Sequence, residues 1–296
     1  MIPNTFIIGS MKSATTGLCD ILNHHPDVFV SCPKEPDFFS RDEIYAKGLR
    51  WYESLFRGVS KETVVAEGST SYTKHLQYPQ AARRLAEHAP DAKLIFMARN
   101  PLQRIQSHWG HEVLKGRTSL EFESFVRSHP ETIDISLYWK QINHYRELFP
   151  DERIFVLFFE DYRNSTQQVV DQCCQFLGID SCNIDDLKID RNETSKRRQD
   201  VAAIRLLRQS RWFDMGLERT KKRIPNAIYQ PMKRLLKSRS GAGDAKWSPD
   251  LLRWVGDQIN SDSQRFLDFY DKPSDFWSDF LPKTVAANSS EIETHN

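Results

Sequence analysis

The chain has 296 residues, of which 39% are hydrophobic and 27% are charged. This size and composition predict one large α/β domain, with two domains as the competing count. The net charge of +1 indicates no particular charged partner, and no stretch approaches the ~20 apolar residues of a membrane span.

The N-terminus and the cysteines bear on the compartment in which the protein works. The first residues carry no basic segment and run directly into an apolar run, so we predict neither a signal peptide nor an anchor. Five cysteines without zinc-site or redox-motif spacing fit a reducing environment. We therefore expect a cytoplasmic protein.

Residues 5–18, TFIIGSMKSATTGL, predict a short buried strand, a tight turn that begins at Gly9, and the start of a helix. Such a turn points backbone N–H groups and a helix N-terminus at one spot, which attracts phosphate or sulfate. Lys12 adds a positive charge there. Three hydroxyl residues can cap the helix and add donors: Ser13, Thr15 and Thr16.

This loop is not a Walker A motif, because Lys12 lies only three residues after Gly9 and is followed by Ser13 and Ala14. Taken alone, the loop leaves two interpretations open. It is either an anion site or an ordinary strand, turn and helix with a solvated lysine.

A second constrained loop follows the apolar run of residues 28–30. Two prolines, Pro33 and Pro36, enclose Lys34 and Glu35, which restricts the backbone. The carboxyl ends of parallel strands line the ligand crevice of such sheets, so Glu35 is a candidate functional carboxylate. The alternative is a surface glutamate paired with Lys34.

Two more runs, residues 64–67 and 93–98, predict the third and fourth strands, and the continuous apolar run of the fourth suits a central parallel position. The fourth is followed by RNPLQRIQSHW, in which Pro101 suits the first position of a helix. Arg99 suits phosphate binding, because a guanidinium can form two parallel hydrogen bonds. We expect Arg104 to be structural and to pair with a carboxylate.

The remainder of the chain is predicted to be mainly helical. Residues 154–159 form the fifth strand, Gly178 caps a helix after it, and residues 250–270 form a last amphipathic helix. Between the fourth and fifth strands, four residues at helical spacing are predicted to lie in the core: Tyr138, Ile142, Tyr145 and Leu148.

Residues 196–246 contain 15 Lys or Arg and 4 Asp or Glu, although the whole chain carries only +1. This asymmetry predicts either an electropositive lid that attracts an anionic ligand or a membrane surface, or a helical insertion whose charges face water. Nucleic-acid binding is disfavoured, since aromatic residues are not regularly interleaved. Residues 284–296 are predicted to be a disordered tail after a single domain of residues 1–283.

Several of these motifs resemble the PAPS-dependent sulfotransferases, specifically the bacterial and glycan-type members. The segment Lys12 to Thr16 is similar to their 5′-phosphosulfate loop, with Ala14 in place of the commoner Gly. KEPDFF is similar to their K-E-x-x-F-F motif, and RNPLQRIQSHW to their 3′-phosphate motif. EGSTSY is similar to G-E-x-S/T-P-x-Y, but Gly68 stands where relatives that modify heparan sulfate often carry Lys.

The resemblance implies a three-layer α/β fold of the P-loop NTPase-like sulfotransferase type, with about five mainly parallel strands. It implies transfer of a sulfuryl group from PAPS to a hydroxyl or amine, leaving PAP. Glu35 would be the general base, with His75 as an alternative, and Lys12 would stabilise the leaving phosphate. The nucleotide-binding residues carried over are Lys12, Ser13, Ala14, Thr15, Thr16, Arg99, Ser107, Lys196, Arg197 and Arg198.

No metal is expected, because the adjacent His24 and His25 cannot face one site as helical i, i+4 ligands would. Two other function classes compete: a P-loop-like nucleotide kinase, and a non-catalytic protein that binds nucleotides or polyanions. The sequence leaves open the acceptor, which could be a glycan, lipid, phenol or metabolite, and also the oligomeric state.

Overall fold

The computed structural model describes residues 1–186 and 245–277. Its sheet has five parallel strands in the order β2-β3-β1-β4-β5. Their bounds are β1 Thr5–Gly9, β2 Val28–Val30, β3 Val64–Glu67, β4 Lys93–Ala98 and β5 Ile154–Phe158. The predicted fold class is confirmed, and the fourth strand pairs on both sides, as its apolar run predicted.

Helices cover both faces of the sheet. Alternate residues of a strand point to opposite faces, so Phe96 packs on one layer while Ile95 and Met97 pack on the other. The helices are α1 Thr15–Leu22, α2 Asp42–Tyr45, α3 Leu49–Glu53, α4 Ala81–His88, α5 Pro101–Leu114, α6 Phe122–Ser128, α7 Pro130–Asp134, α8 Tyr138–Arg146, α9 Phe159–Asn164, α10 Thr166–Leu177 and α11 Pro249–Phe269. Two 3₁₀ turns, Ser54–Phe56 and Asp151–Arg153, complete the described elements.

None of these helices is long and apolar enough to cross a bilayer. The predicted lid falls almost entirely on residues outside the described chain, which resumes at residue 245, and so does the predicted tail. The predicted helix cap is confirmed, since Gly178 ends α10 in the left-handed conformation, with φ 79°.

One core prediction is wrong. Tyr138, Ile142 and Tyr145 are buried, but Leu148 is 43% exposed. Helix-type hydrogen bonds continue past Arg146, because the Phe149 N–H donates to the Tyr145 carbonyl at 2.8 Å. Phe149, four residues after Tyr145, is therefore the residue that packs in the core, and Leu148 faces solvent.

Glu67, the last residue of β3, has a buried carboxyl that lies close to hydroxyls holding the loop that follows β2. Burial raises the pKa of Glu67 to about 8. The hydroxyls of Tyr72, Tyr52 and Ser69 lower this pKa but do not offset the effect of burial. Neither carboxyl oxygen has a hydrogen bond of regular geometry among the described residues. The same hydroxyls hold the loop, because Ser69 accepts from the Asp37 N–H at 3.0 Å and Tyr72 from the Phe39 N–H at 3.3 Å.

The corrected end of α8 can be tested with two alanine substitutions. Ile142→Ala should lower the free energy of unfolding by about 3 kcal/mol, since it empties space in a closed core. Leu148→Ala should change it by less than about 0.5 kcal/mol, because the side chain faces solvent. Urea unfolding measures both, and equal losses would restore Leu148 to the core.

The protonation of Glu67 predicts a pH dependence of stability. The folded state keeps this carboxyl neutral up to a pKa of about 8, whereas the unfolded chain ionises it near 4.5. Unfolding therefore releases a proton between these values, and the contribution of Glu67 to stability is lost as pH rises through that window.

Glu67→Gln removes this pH-dependent contribution to stability. Its melting temperature relative to the wild type should rise between pH 5 and pH 8 and then level off. The exposed Glu152→Gln is the control and should show a constant difference. A Glu67→Gln difference that is equally flat would show that the buried carboxyl is already ionised at pH 5.

Candidate active site

The loops after β1 and β4 meet at the carboxyl edge of the sheet. Arg99 donates a hydrogen bond from Nη1 to the backbone carbonyl oxygen of Lys12, and the two atoms are 3.2 Å apart. Lys12 has φ 73°, so the chain turns there in the left-handed region before α1 begins. The two loops that the sequence predicts to bind anions are therefore in direct contact.

The loop after β1 is held by buried hydroxyls. Ser10 donates its hydroxyl to the Met97 carbonyl at 3.1 Å, and its backbone N–H donates to the same oxygen at 2.9 Å. Since that hydroxyl has one hydrogen, Ser13 is the donor in the 2.6 Å contact between the two serine oxygens. The Ser13 hydroxyl is therefore committed within the loop, where it fixes the loop's shape.

The predicted side-chain capping of α1 does not occur. The N-cap residue is Ala14, which accepts no hydrogen bond through its side chain and has φ 70°. A left-handed alanine costs about 1 kcal/mol, which gives a reason for glycine to be commoner at this position. The first N–H groups of α1 thus meet no side-chain acceptor from their own cap, which suits an anion. Thr15 is buried and Thr16 exposed at this end.

The loop after β4 is capped as predicted. Asn100 accepts at Oδ1 from the N–H groups of Leu102 and Gln103, and Pro101 opens the helix. Gln103 accepts from Arg99 Nη2 at 3.4 Å, and Ser107 is four residues further along the same face of α5. Arg99, Gln103 and Ser107 therefore line one side of the helix.

Arg104 is structural, but its predicted carboxylate partner is wrong. It is fully buried, and it donates to the Ser136 hydroxyl at 2.7 Å and to the Thr132 carbonyl. Burial lowers its pKa to about 10. Hydroxyl and carbonyl oxygens therefore accept from Nε and Nη2, while the buried Nη1 has no hydrogen-bond partner among the described residues.

Glu35 lies in the loop after β2, and the strand order places β2 and β4 on opposite sides of β1. Its Oε1 accepts from the Thr70 hydroxyl at 3.2 Å and pairs with Lys34 Nζ at 3.7 Å. The side chain remains 44% exposed, so an acceptor can approach it. The alternative base, His75, stacks on His144 at 3.5 Å, and burial lowers its pKa.

Sequence reasoning missed a group of cationic and imidazole side chains at this edge. Burial, Arg104, Lys74 and Lys12 lower the pKa of His108 to about 2, and burial and Lys12 lower that of His111 to about 4. Burial also lowers the pKa of Lys74, although the nearby carboxylates of Asp37 and Glu35 partly offset this effect. Arg104, His108 and His111 lie on α5 at positions i, i+4 and i+7, a helical spacing that could have grouped them from the sequence. Lys12 and Lys74 come from other segments, and no local pattern signals that they meet this helix. The lowered pKa values of the two histidines indicate a positive electrostatic potential at this edge of the sheet, which suits an anionic ligand.

Among the described residues, one group has atoms suited to a metal ion. His25, Cys174 and Cys182 place their ligand atoms within 4.8 Å of one another. Both imidazole nitrogens of His25 are already in contact, with the Asp180 carbonyl at 2.8 Å and the Asp27 N–H at 3.1 Å. This group lies beyond the C-terminal end of α1, away from the strand ends that carry Lys12 and Arg99.

The described donor set fits a nucleotide that carries phosphate at two positions. The α1 N-terminus, Lys12 and the two threonine hydroxyls supply one group of donors, and Arg99 with Ser107 supplies the other. Three further predicted ligands, Lys196, Arg197 and Arg198, lie outside the described residues.

Comparison with known proteins agrees with this geometry. The family described as "Sulfotransferase domain" matches residues 3–212. Heparan sulfate glucosamine 3-O-sulfotransferase 6 of Homo sapiens is 29% identical over 185 residues, which are 60% of this chain and 52% of that protein. Membrane-associated sulfotransferase kil1 of Dictyostelium discoideum is 29% identical over 161 residues, 51% of this chain and 33% of that one. The chain thus spans about half or less of these relatives.

A solved structure shows the same fold. The sulfotransferase from Alicyclobacillus acidocaldarius matches with a TM-score of 0.65 at 24% identity, covering 94% of this chain and 99% of that one. The family match extends over well over half of the 296 residues and includes both strand-end loops that meet at Lys12 and Arg99. This chain therefore belongs to the sulfotransferase family.

Proposed function

We propose that the protein transfers a sulfuryl group from PAPS to a hydroxyl or amine of an acceptor. The observation that carries the proposal is the contact between Arg99 and the Lys12 carbonyl. It joins the loop that resembles a 5′-phosphosulfate site to the loop that resembles a 3′-phosphate site. PAPS is the nucleotide that carries both groups.

The protein has little covalent work in this reaction. The S–O bond to the 5′-phosphate breaks, and a new bond forms between sulfur and the acceptor oxygen or nitrogen. The acceptor proton passes to Glu35, and the 5′-phosphate oxygen of PAP keeps the electron pair of the broken S–O bond and so gains a negative charge. Lys12 and the α1 N-terminus stabilise that charge as it develops, and Thr70 holds the Glu35 carboxylate in place.

Selection of the nucleotide falls to the loop after β4. The Arg99 guanidinium is held from several sides, over the Phe159 ring at 4.5 Å and beside Gln103. Tyr138 also donates to the Arg99 carbonyl at 2.7 Å. A guanidinium held in this way can grip a 3′-phosphate, with Ser107 as a second donor.

The relatives indicate which acceptors to test first. Relatives named as heparan sulfate glucosamine sulfotransferases make a glucosamine-containing polysaccharide the first acceptor to test. Gly68, which stands where those relatives often carry Lys, favours including phenols and glycolipids in the same screen.

Nucleotide binding tests the donor assignment. PAP should raise the melting temperature more than 5′-AMP or ATP, because only PAP carries both phosphate positions. Arg99→Ala should weaken PAP binding by ~10–100-fold and 5′-AMP binding by less, because only PAP also loses a 3′-phosphate contact while both lose the hydrogen bond that holds the Lys12 loop. Calorimetry measures both. Preference for ATP would favour a nucleotide kinase, and stabilisation by heparin alone would favour a polyanion-binding protein.

Turnover tests the two catalytic assignments. Lys12→Met keeps the length of the side chain but removes its charge, and it should reduce transfer from labelled PAPS by ~10²–10³-fold. Glu35→Gln should leave PAP affinity intact and abolish transfer, because the amide cannot accept the acceptor's proton. Transfer at the wild-type rate by either variant would remove that residue from the chemistry and, for Glu35, would point to His75.

A further inference from the structure

Lys34 lies between the N-terminus of α1 and the Glu35 carboxylate. Its Nζ is 3.1 Å from the Thr16 hydroxyl oxygen, 3.4 Å from that of Thr15, and 3.7 Å from Glu35 Oε1. The side chain is only 22% exposed. A single ammonium group thus contacts both the N-terminus of α1 and the carboxylate proposed as the base.

The position of Lys34 is set by its surroundings. Its carbonyl accepts from the Gly68 N–H at 3.1 Å and from the Ser31 hydroxyl at 3.3 Å. Its aliphatic stem passes Gly68, where an added Cβ would lie 3.0 Å from Lys34 Cε and 2.7 Å from Cys19 Sγ. The absence of a side chain at Gly68 therefore leaves the path along which Lys34 reaches the threonines.

The chemistry of the ammonium determines what these contacts do. Lysine carries only donors, so both threonine oxygens must accept from it. Each hydroxyl then directs its own hydrogen away from Lys34. That leaves the hydroxyl hydrogens available to an anion at the α1 N-terminus.

We propose that Lys34 is a positioning residue for sulfuryl transfer, which orients the Thr15 and Thr16 hydroxyls as donors to the 5′-phosphosulfate and holds the Glu35 carboxylate beside them. The proposal rests on the proposed function of the site. It differs from a simple surface ion pair with Glu35, because an exposed pair would contribute little and would have no effect on nucleotide binding.

The test compares Lys34→Met with Lys61→Met, a matched change at an exposed lysine. Lys34→Met keeps the stem beside Gly68 and removes the three donors. PAP affinity should fall about tenfold in Lys34→Met and stay unchanged in the control. Lys34→Gln, which is shorter and can also accept, serves as the second variant and should show a loss of the same direction.

Two readouts separate positioning from general damage. In a Thr16→Val background, Lys34→Met should weaken PAP binding by about twofold only, because the hydroxyl it orients is gone. At saturating PAPS, kcat should also fall in Lys34→Met but not in Lys61→Met, because Glu35 loses the cation that holds it beside the threonines.

The outcomes of this test are distinguishable from failure of the proposed function. If PAP does not bind the wild-type protein, the function is wrong. If PAP binds the wild type and both Lys34 variants equally, and kcat at saturating PAPS is also the same, the role of Lys34 is overturned. Equal losses with and without the Thr16 hydroxyl would likewise overturn it.

Discussion

The hydrogen bond from the Arg99 guanidinium to the Lys12 carbonyl is the contact on which the site depends. It joins the loops after two adjacent central strands, β1 and β4, so that the donors of both face one region. The Asn100 cap fixes the first turn of α5, and the buried serine pair fixes the loop before α1. The geometry is therefore built into the backbone before any ligand binds.

A positive field accompanies this geometry. Lys12, Lys74 and Arg104 lie near two histidines whose pKa values burial and these cations depress. The histidines therefore stay neutral near pH 7 and add no further positive charge. A bound bisphosphate would meet cations and oriented N–H groups in a partly buried setting, where such interactions are worth more than in water.

The proposed acceptor side of the site is held by a separate set of hydrogen bonds. The hydroxyls of Ser69 and Tyr72 accept hydrogen bonds from the loop of residues 34–39, and the neutral carboxyl of Glu67 is buried close to them. Thr70 and Lys34 then hold Glu35 itself. Because Lys34 also contacts the threonines of α1, the proposed base and the proposed phosphosulfate site share one cation, which couples their positions.

The sequence by itself determined the five strands, the two strand-end loops and the candidacy of Lys12, Glu35 and Arg99, because periodicity, turn residues and motif spacing are local. The order of the strands, the burial of Phe149 in place of Leu148, and the absence of a side-chain cap on α1 were decided only by the tertiary structure. So were the contacts of Lys34 with Thr15 and Thr16 and the gathering of His108, His111 and Lys74 around Lys12. These depend on side chains far apart in the chain that meet only when parallel strands align their carboxyl ends, and no local pattern encodes such a meeting.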